Sequence, residues 1–227
     1  MHQSADTVAI SRTGKLTRFF AFWLLCLSSC SGLRENAEKL DLSGVFIIRA
    51  DDGLGTCFIV GRDSDKTYVA TAAHCVNGAS IVRVPAARTT KVLAVDISND
   101  AALLECTGLP RTWKAYPLRT KGVQVGEPCV AVGYISFRGR RTTGFPVWGP
   151  AAYPGYVVNV GLLGRIWCNT GVYRGMSGGP VFDAKGRVLG IVSGAAYWEP
   201  GIADSTDSLC PAVVIERMLE QVRRRAE

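Results

Sequence analysis

From residue 44 onward the chain is a succession of short apolar runs, each rich in β-branched or aromatic residues and each cut off by Gly, Asp, Asn or Pro. "GVFIIRA", "GTCFIVG", "TYVATAA", "SIVRVPA", "TKVLAVD" and "AALLEC" form one set. "EPCVAVGYI", "PGYVVNVG", "GRIWCN" and "PVFDAKGRVLGIVSG" form a second, in which "DAKG" reads as a hairpin turn. Runs this brief and this punctuated are the pattern of closely spaced strands. Between the sets lies "GLPRTWKAYPLRTKG" (108–122), whose two prolines and mixed charge read as a crossover linker. Only the tail, "PAVVIERMLEQVRRRAE", has helical spacing, with apolar residues at Val214, Ile215, Met218, Leu219 and Val222. The expected fold class is therefore all-β, with two runs of strands and one closing α-helix. A length of 227 residues suits one large domain or two small fused ones. With 48% hydrophobic and 20% charged residues the chain is globular, not disordered.

The first 30 residues are different in kind. Basic "SRTGKLTR" precedes apolar "FFAFWLLCLSSC", a run too short to span a bilayer, which takes about 20 residues. A basic segment followed by a short apolar one reads as a secretory leader. Its end, Leu27-Ser28-Ser29-Cys30, resembles a bacterial lipobox, in which the Cys becomes the lipidated first residue; an ordinary cleaved leader or an uncleaved anchor are the other readings. Export to the cell envelope follows, with attachment to a membrane through Cys30, or release as a soluble protein if Cys30 is not modified. Segment 31–43 is polar and reads as a tether.

Loss of residues 1–29 takes away Arg12, Lys15, Arg18 and Asp6, so the formal charge falls from +7 to +5. Clusters at Arg138/Arg140/Arg141 and Arg223/Arg224/Arg225 are not interleaved with stacking aromatics, so no nucleic-acid partner is expected. They read as solvated surface, with anionic headgroups a lesser option. Of eight cysteines, Cys26 lies in the leader and Cys30 at its end. The remaining six suggest disulfides in an exported chain, with Cys57–Cys75 the favoured pair. No C-x-x-C occurs, and the spacing of the Cys residues and His74 fits no usual metal or redox motif. No metal or organic cofactor is expected.

Three stretches carry chemistry. His2 precedes the leader, which leaves His74 in "TYVATAAHCV", at a strand end among small residues. Histidine is the usual general base near neutral pH, although a single His is more often structural. In "VDISNDAALL" (95–104), Asp100 opens an apolar strand. A carboxylate there could fix an imidazole's tautomer. It could equally be a turn residue, and spacing does not separate it from Asp96. In "RGMSGGPVF" (174–182), three glycines and a proline surround Ser177. A serine becomes a nucleophile when a base takes its proton, and its substrate's oxyanion needs converging N–H donors. Such a turn needs unusual dihedrals and a close approach to backbone, both of which glycine permits. Gly175 and Ser177 are the expected donors; otherwise the stretch is a glycine-rich hairpin with an incidental serine. The order His, Asp, Ser is one of the recurring triad orders.

Through these motifs the sequence resembles the trypsin-like serine proteases of the double β-barrel fold. "TAAHC" and "SGGPVF" are similar to that family's His and Ser motifs, and "DISNDAALL" to its Asp motif, with Asp100 the triad member. "GTCFIV", "RGMSGGP" and the ending "LCPAVVIERMLEQV" resemble the bacterial HtrA-like branch, and the likeness covers about residues 44–222. It implies two six-stranded antiparallel β-barrels: 44–109 and 123–213, joined by a linker at 110–122 and closed by a helix at 214–227, after a leader at 1–29 and a tether at 30–43. It implies a serine endopeptidase acting on proteins or peptides. The rival is a protease-fold binding protein that has lost turnover.

Some features depart from the pattern. Met176 stands where chymotrypsin-like zymogens carry an Asp, so activation by a freed N-terminus is not expected. The chain runs to Glu227, which leaves no room for the PDZ domain usual in the HtrA-like branch. Cys129 resembles a disulfide position of the animal enzymes, but the partner position is Asp183. By the same resemblance the substrate pocket has Gly171 at its floor and Ser193, Gly194 and Ala195 along one wall. With no acid at Gly171, small or medium apolar P1 residues are expected. "AAYWEPGIADSTD" (195–207) could be a lid, an extra substrate wall or a mobile loop.

Overall fold

Why the strands are apolar along their whole length, rather than at alternate positions, is answered by what lies on each side of them. The computed structural model describes residues 39–51, 53–136, 149–161, 164–196 and 206–225. In β2 (Gly53–Asp63), Gly55 to Val60 are all buried. Successive side chains point to opposite faces. Cys57 and Ile59 pack with Phe46, Ile48, Val69 and Leu104 in one cluster. Phe58 and Val60 belong to another, with Leu103, Val130, Phe182 and Ile191. The first cluster fills a barrel and the second lies between two barrels, so no face of the strand meets water. This is the fully buried strand that a continuous apolar run can signify.

The first barrel uses β1 (Val45–Ala50), β2, β3 (Lys66–Thr71), β4 (Val82–Arg83), β5 (Thr89–Asp96) and β6 (Ala101–Thr107). They form one antiparallel six-stranded sheet in the order β4-β1-β2-β3-β6-β5. "SIVRVPA" shortens to two residues, because Pro85 cannot donate to a ladder. The edge is closed by the Val84 N–H donating to Thr90 Oγ1 at 3.1 Å. The second barrel, β7 (Pro128–Gly133), β8 (Ala151–Val160), β9 (Ile166–Cys168), β10 (Pro180–Asp183), β11 (Val188–Ala196) and β12 (Thr206–Pro211), closes fully, β10 pairing with β7. Its interior holds Cys129, Ala131, Cys168, Val181, Leu189 and Leu209.

Helix α1 spans Ala212–Arg224, starting two residues before the expected 214, and buries Val214, Ile215, Met218 and Leu219 against the inter-barrel cluster. The linker is not a loose strap. Tyr116 is 2% exposed, lies edge-on to Phe182 at 4.9 Å, and donates its hydroxyl to the Asp41 carbonyl at 2.7 Å. Arg119 grips Glu127 at 2.6 Å. The linker thus packs against both barrels, with Tyr116 in the inter-barrel cluster beside Phe58 and Phe182.

All six described cysteines are free thiols. The expected Cys57–Cys75 bridge is absent because Cys75 lies over Gly55, two residues before Cys57. A Cβ added at Gly55 would stand 2.7 Å from Cys75 Sγ. Cys57 instead donates to the Phe46 carbonyl at 3.5 Å. Asp183 does sit directly opposite Cys129 in the β10–β7 register, while the Cys129 thiol hydrogen-bonds Cys168, and that contact raises its pKa. Cys26, Cys30 and Arg138/Arg140/Arg141 lie outside the described residues, as do 197–205 of the "AAYWEPGIADSTD" segment.

Candidate active site

His74 sits on the 3₁₀ turn Ala73–Cys75 that follows β3, and Asp100 in the turn between β5 and β6. Because β3 and β6 are neighbours in the sheet, their adjoining ends bring the two together. His74 Nδ1 lies 2.8 Å from Asp100 Oδ2 and 3.0 Å from Oδ1, and the His74 main-chain N–H donates to Oδ1 at 2.9 Å. With its proton on Nδ1 facing the carboxylate, the ring keeps Nε2 as an acceptor. Asp100 holds a left-handed backbone, φ 57°, a conformation that Asp tolerates better than most residues. The structure also separates the two carboxylates. Asp96 is spent on its own turn, accepting from Ser98 Oγ at 2.7 Å and Asn99 Nδ2 at 2.7 Å.

These contacts set the charges. The hydrogen bond to Asp100, and next the one to Cys75, lifts the His74 pKa well above its ordinary 6.5, against burial. Burial opposes the charge on Asp100, but hydrogen bonds from His74 and Ser193 outweigh it and hold the carboxyl below 3.8.

Ser177 comes from the second barrel, on two consecutive turns. Met176 N–H donates to the Tyr173 carbonyl at 3.1 Å, and Gly179 N–H to the Met176 carbonyl at 2.8 Å. Gly175 and Gly178 occupy the third position of each turn with φ 92° and 84°, the type II requirement. A Cβ would also strike backbone: at Gly175 the Tyr134 carbonyl, 2.6 Å away, and at Gly178 the Thr56 carbonyl. Gly178 N–H is taken up by the Val192 carbonyl at 2.8 Å. Among the described residues, the N–H groups of Gly175 and Ser177 donate to no backbone carbonyl, alternating with the spent ones. Met176 is fully buried.

His74, Cys75 and Ser177 line one cavity of about 280 Å³, with Ala50, Asp51 and Leu54. Among the described residues no hydrogen bond joins Ser177 Oγ to His74; such contacts often tighten only with substrate present.

Two residues, Thr56, which the sequence reading did not assign, and Ser193, assigned only to the pocket wall, cross between the barrels. Thr56, fully buried in β2, donates its hydroxyl to the Gly175 carbonyl at 2.7 Å and accepts from the Tyr134 N–H at 2.9 Å. Its own N–H donates to the Ser177 carbonyl at 2.8 Å. The first barrel therefore grips the serine turn of the second. In the other direction, Ser193 Oγ donates to Asp100 Oδ2 at 2.6 Å. Ser193 falls in the register shift between Val192 and Gly194, and such irregularities re-aim side chains. Its hydroxyl is thus engaged in holding Asp100, a role beyond the pocket wall expected of it. A polar Thr inside an apolar run was the available signal for Thr56; nothing local marked Ser193.

At the expected floor, Gly171 has φ 69°, and a Cβ there or at Gly194 would meet nothing within 4 Å. Asp207, paired with Ala195, is fully buried and accepts from Thr170 Oγ1 at 2.6 Å and Val172 N–H at 3.4 Å. Burial pushes its carboxyl above 3.8. This acid, which sequence spacing did not bring near Gly171, pins the floor loop.

A profile of the trypsin-like peptidase domain matches residues 55–191. Over 174 residues the chain is 26% identical to the serine protease Do-like HtrB of Bacillus subtilis, covering 72% of this chain and 37% of that protein. Over 160 residues it is 30% identical to HhoB of Synechocystis, which carries a serine-protease name, covering 62% and 34%. The chain thus spans roughly a third of the length of these curated relatives. The solved serine endoprotease from Yersinia pestis aligns with a TM-score of 0.62 at 18% identity, over 87% of this chain and 67% of that one. The Rv3671c protease from M. tuberculosis in its active form aligns at 0.62 and 24%, over 79% and 81%. At these identities the structural likeness is one of fold.

Proposed function

Because the chain belongs to the trypsin-like peptidase domain family, on its HtrA-like side, we propose that it is an exported serine endopeptidase whose triad is Ser177, His74 and Asp100. The observation that carries this is the Asp100–His74 pair facing Ser177 across one cavity, beside two N–H groups with no backbone acceptor. Ser177 Oγ attacks the peptide carbonyl as its proton passes to His74 Nε2. The C–O bond forms, and the carbonyl electrons move onto an oxyanion held by the N–H groups of Gly175 and Ser177. Collapse breaks the C–N bond, and His74 returns the proton to the leaving amine. Water, activated by His74 in the same way, then cleaves the acyl-enzyme. Asp100 orients the ring and stabilises its cation.

Substrates are proteins or peptides, with small or medium apolar P1 side chains over Gly171 and beside Gly194, since the Asp207 carboxylate is occupied by the loop's own donors. The leader motif supports attachment to the envelope through a lipidated Cys30.

The test compares wild type with Ser177→Ala, expressed from the full chain. Wild type is expected to cleave casein and to take a fluorophosphonate label at Ser177, while the variant folds, does neither and retains Cys30 lipid by intact mass. Casein cleavage by Ser177→Ala at the wild-type rate overturns the mechanism. A folded wild type that refuses the label makes it a binding protein, and an unmodified N-terminus removes the anchor.

A further inference from the structure

Away from the reacting groups, the first barrel carries an arrangement that folding alone does not favour. In the short β1–β4 ladder, Arg49 lies directly opposite Arg83. Like charges facing across an antiparallel pair destabilise it. Among the described residues neither guanidinium has an acidic partner, and nor does Arg88. All three line a cavity of about 880 Å³ whose wall adds the hydroxyls of Ser80, Thr89 and Thr90 and no carboxylate. Three unneutralised guanidinium groups around a hollow form a site for anions, and their forked donors match carboxylates in particular.

Its position says which anion. Arg49 immediately precedes Ala50 and Asp51, and Ser80 immediately follows Ala79; Ala50, Asp51 and Ala79 line the cavity of His74 and Ser177. The two hollows therefore adjoin along the chain at both places, and the ridge between them is their common rim. Asp51 fixes that rim, its carboxylate accepting from the Ser80 and Ile81 N–H groups at 3.1 and 2.9 Å. Gly171, Ser193 and Gly194 belong to the other barrel. A polypeptide whose acyl half lies against the second barrel therefore carries its leaving half past His74 and along the first, toward the arginines.

We propose that Arg49, Arg83 and Arg88 form a substrate-recognition site for acidic side chains several residues C-terminal to the scissile bond. This rests on the peptidase reading above and adds a substrate class to it. The arginines touch no reacting atom; they select which chains enter the cleft.

The experiment uses two quenched fluorogenic peptides, identical through the scissile bond and differing only in Glu or Gln at the third to sixth positions after it. At low salt the wild type is expected to favour the Glu peptide by about tenfold in kcat/KM, as three exposed ion pairs of a few-fold each would give. The preference falls toward one in the variant combining Arg49→Gln, Arg83→Gln and Arg88→Gln, and in about 0.5 M salt, where exposed charges are screened. The substituted side chains are exposed and mutually repelling, so the thermal midpoint stays level or rises. Should the triple variant lose structure, Arg83→Glu alone is read instead, with preference moving from Glu to Lys peptides. An unchanged Glu-to-Gln ratio in either folded variant overturns the proposal. Anisotropy of the labelled peptides on Ser177→Ala separates the two failures. Tighter binding of the Glu peptide keeps the site even if wild type cleaves nothing, and equal affinity ends it. Inhibition by a phosphate polyanion without any Glu preference would overturn it in favour of a phosphate site.

Discussion

The two barrels bring unlike materials to the cleft. The first contributes side chains: an imidazole and a carboxylate at adjoining strand ends, joined at 2.8 Å. The second contributes mainly backbone: two glycine turns that leave alternate N–H groups without a backbone acceptor and set one hydroxyl between them. Each barrel then fastens what the other supplies. Thr56 of the first holds the Gly175 carbonyl, and Ser193 of the second holds the Asp100 carboxylate. Side-chain chemistry tolerates small movements through rotamers, whereas a backbone site is only as accurate as its turn. The two fastenings are therefore expected to be unequal, with the one on the backbone carrying more of the activity.

The largest break comes from removing the charge that the first barrel contributes. Asp100→Asn is expected to lower kcat/KM roughly 10⁴-fold while leaving the serine turn in place. The pH profile supplies the sign. Asp100 is the main reason the His74 pKa is raised, and a general base works only when neutral, so wild-type activity falls as pH drops through that raised value. Without the carboxylate the pKa returns toward 6.5, and the acid limb of the residual activity moves to lower pH. A limb that stays put would show that Asp100 does not set the base.

Next in size is Thr56→Val, which keeps the shape and removes the hydroxyl. The Gly175 carbonyl loses a donor and the Tyr134 N–H an acceptor in a buried place, at about 1–3 kcal/mol each. Much of that is expected in kcat, about 10–100-fold, with KM little changed, because the oxyanion donors would be displaced more than the pocket. Thr56→Ser should restore most of the rate. Equal loss in Thr56→Ser and Thr56→Val would make Thr56 a packing residue only.

What was legible in the sequence follows the same division. His74 and Ser177 stood out because each sits in a short stretch whose local chemistry is unusual, a His among small residues and a serine among glycines, whereas Asp100 was preferred to Asp96 only through the family resemblance. Most strands were readable from their punctuation, but β12 was not: its first residues fall in the stretch read as a lid or loop. The fastenings were not readable either. Thr56 and Gly175 are 119 residues apart and Asp100 and Ser193 are 93 apart, and nothing local in either stretch names its distant partner. The placing of Asp207 behind Gly171 arises from pairing in the closed barrel, which no spacing encodes. The favoured Cys57–Cys75 disulfide failed for a related reason: the sequence does not say which residue of β2 lies under Cys75, and it is Gly55.

The smallest effect should come from Ser193→Ala, and it sharpens the contrast between the fastenings. Asp100 keeps two bonds to His74 when the hydroxyl is gone, so the ring stays oriented and kcat/KM should fall only a few-fold, in line with about 1 kcal/mol for one hydrogen bond. Its distinct signature lies in acid. Hydrogen bonds hold Asp100 below 3.8, so the ionised carboxyl stabilises the fold above that pH, and the contribution is lost as pH falls through the folded-state value. Ser193→Ala removes one of those bonds and raises that value, so acid unfolding should begin at a higher pH than in wild type, with neutral-pH stability changed far less. Circular dichroism across an acid titration reads the midpoint directly. If Ser193→Ala instead costs as much activity as Thr56→Val, and the acid midpoint does not move, the two fastenings are equivalent and the ranking of backbone over side chain fails.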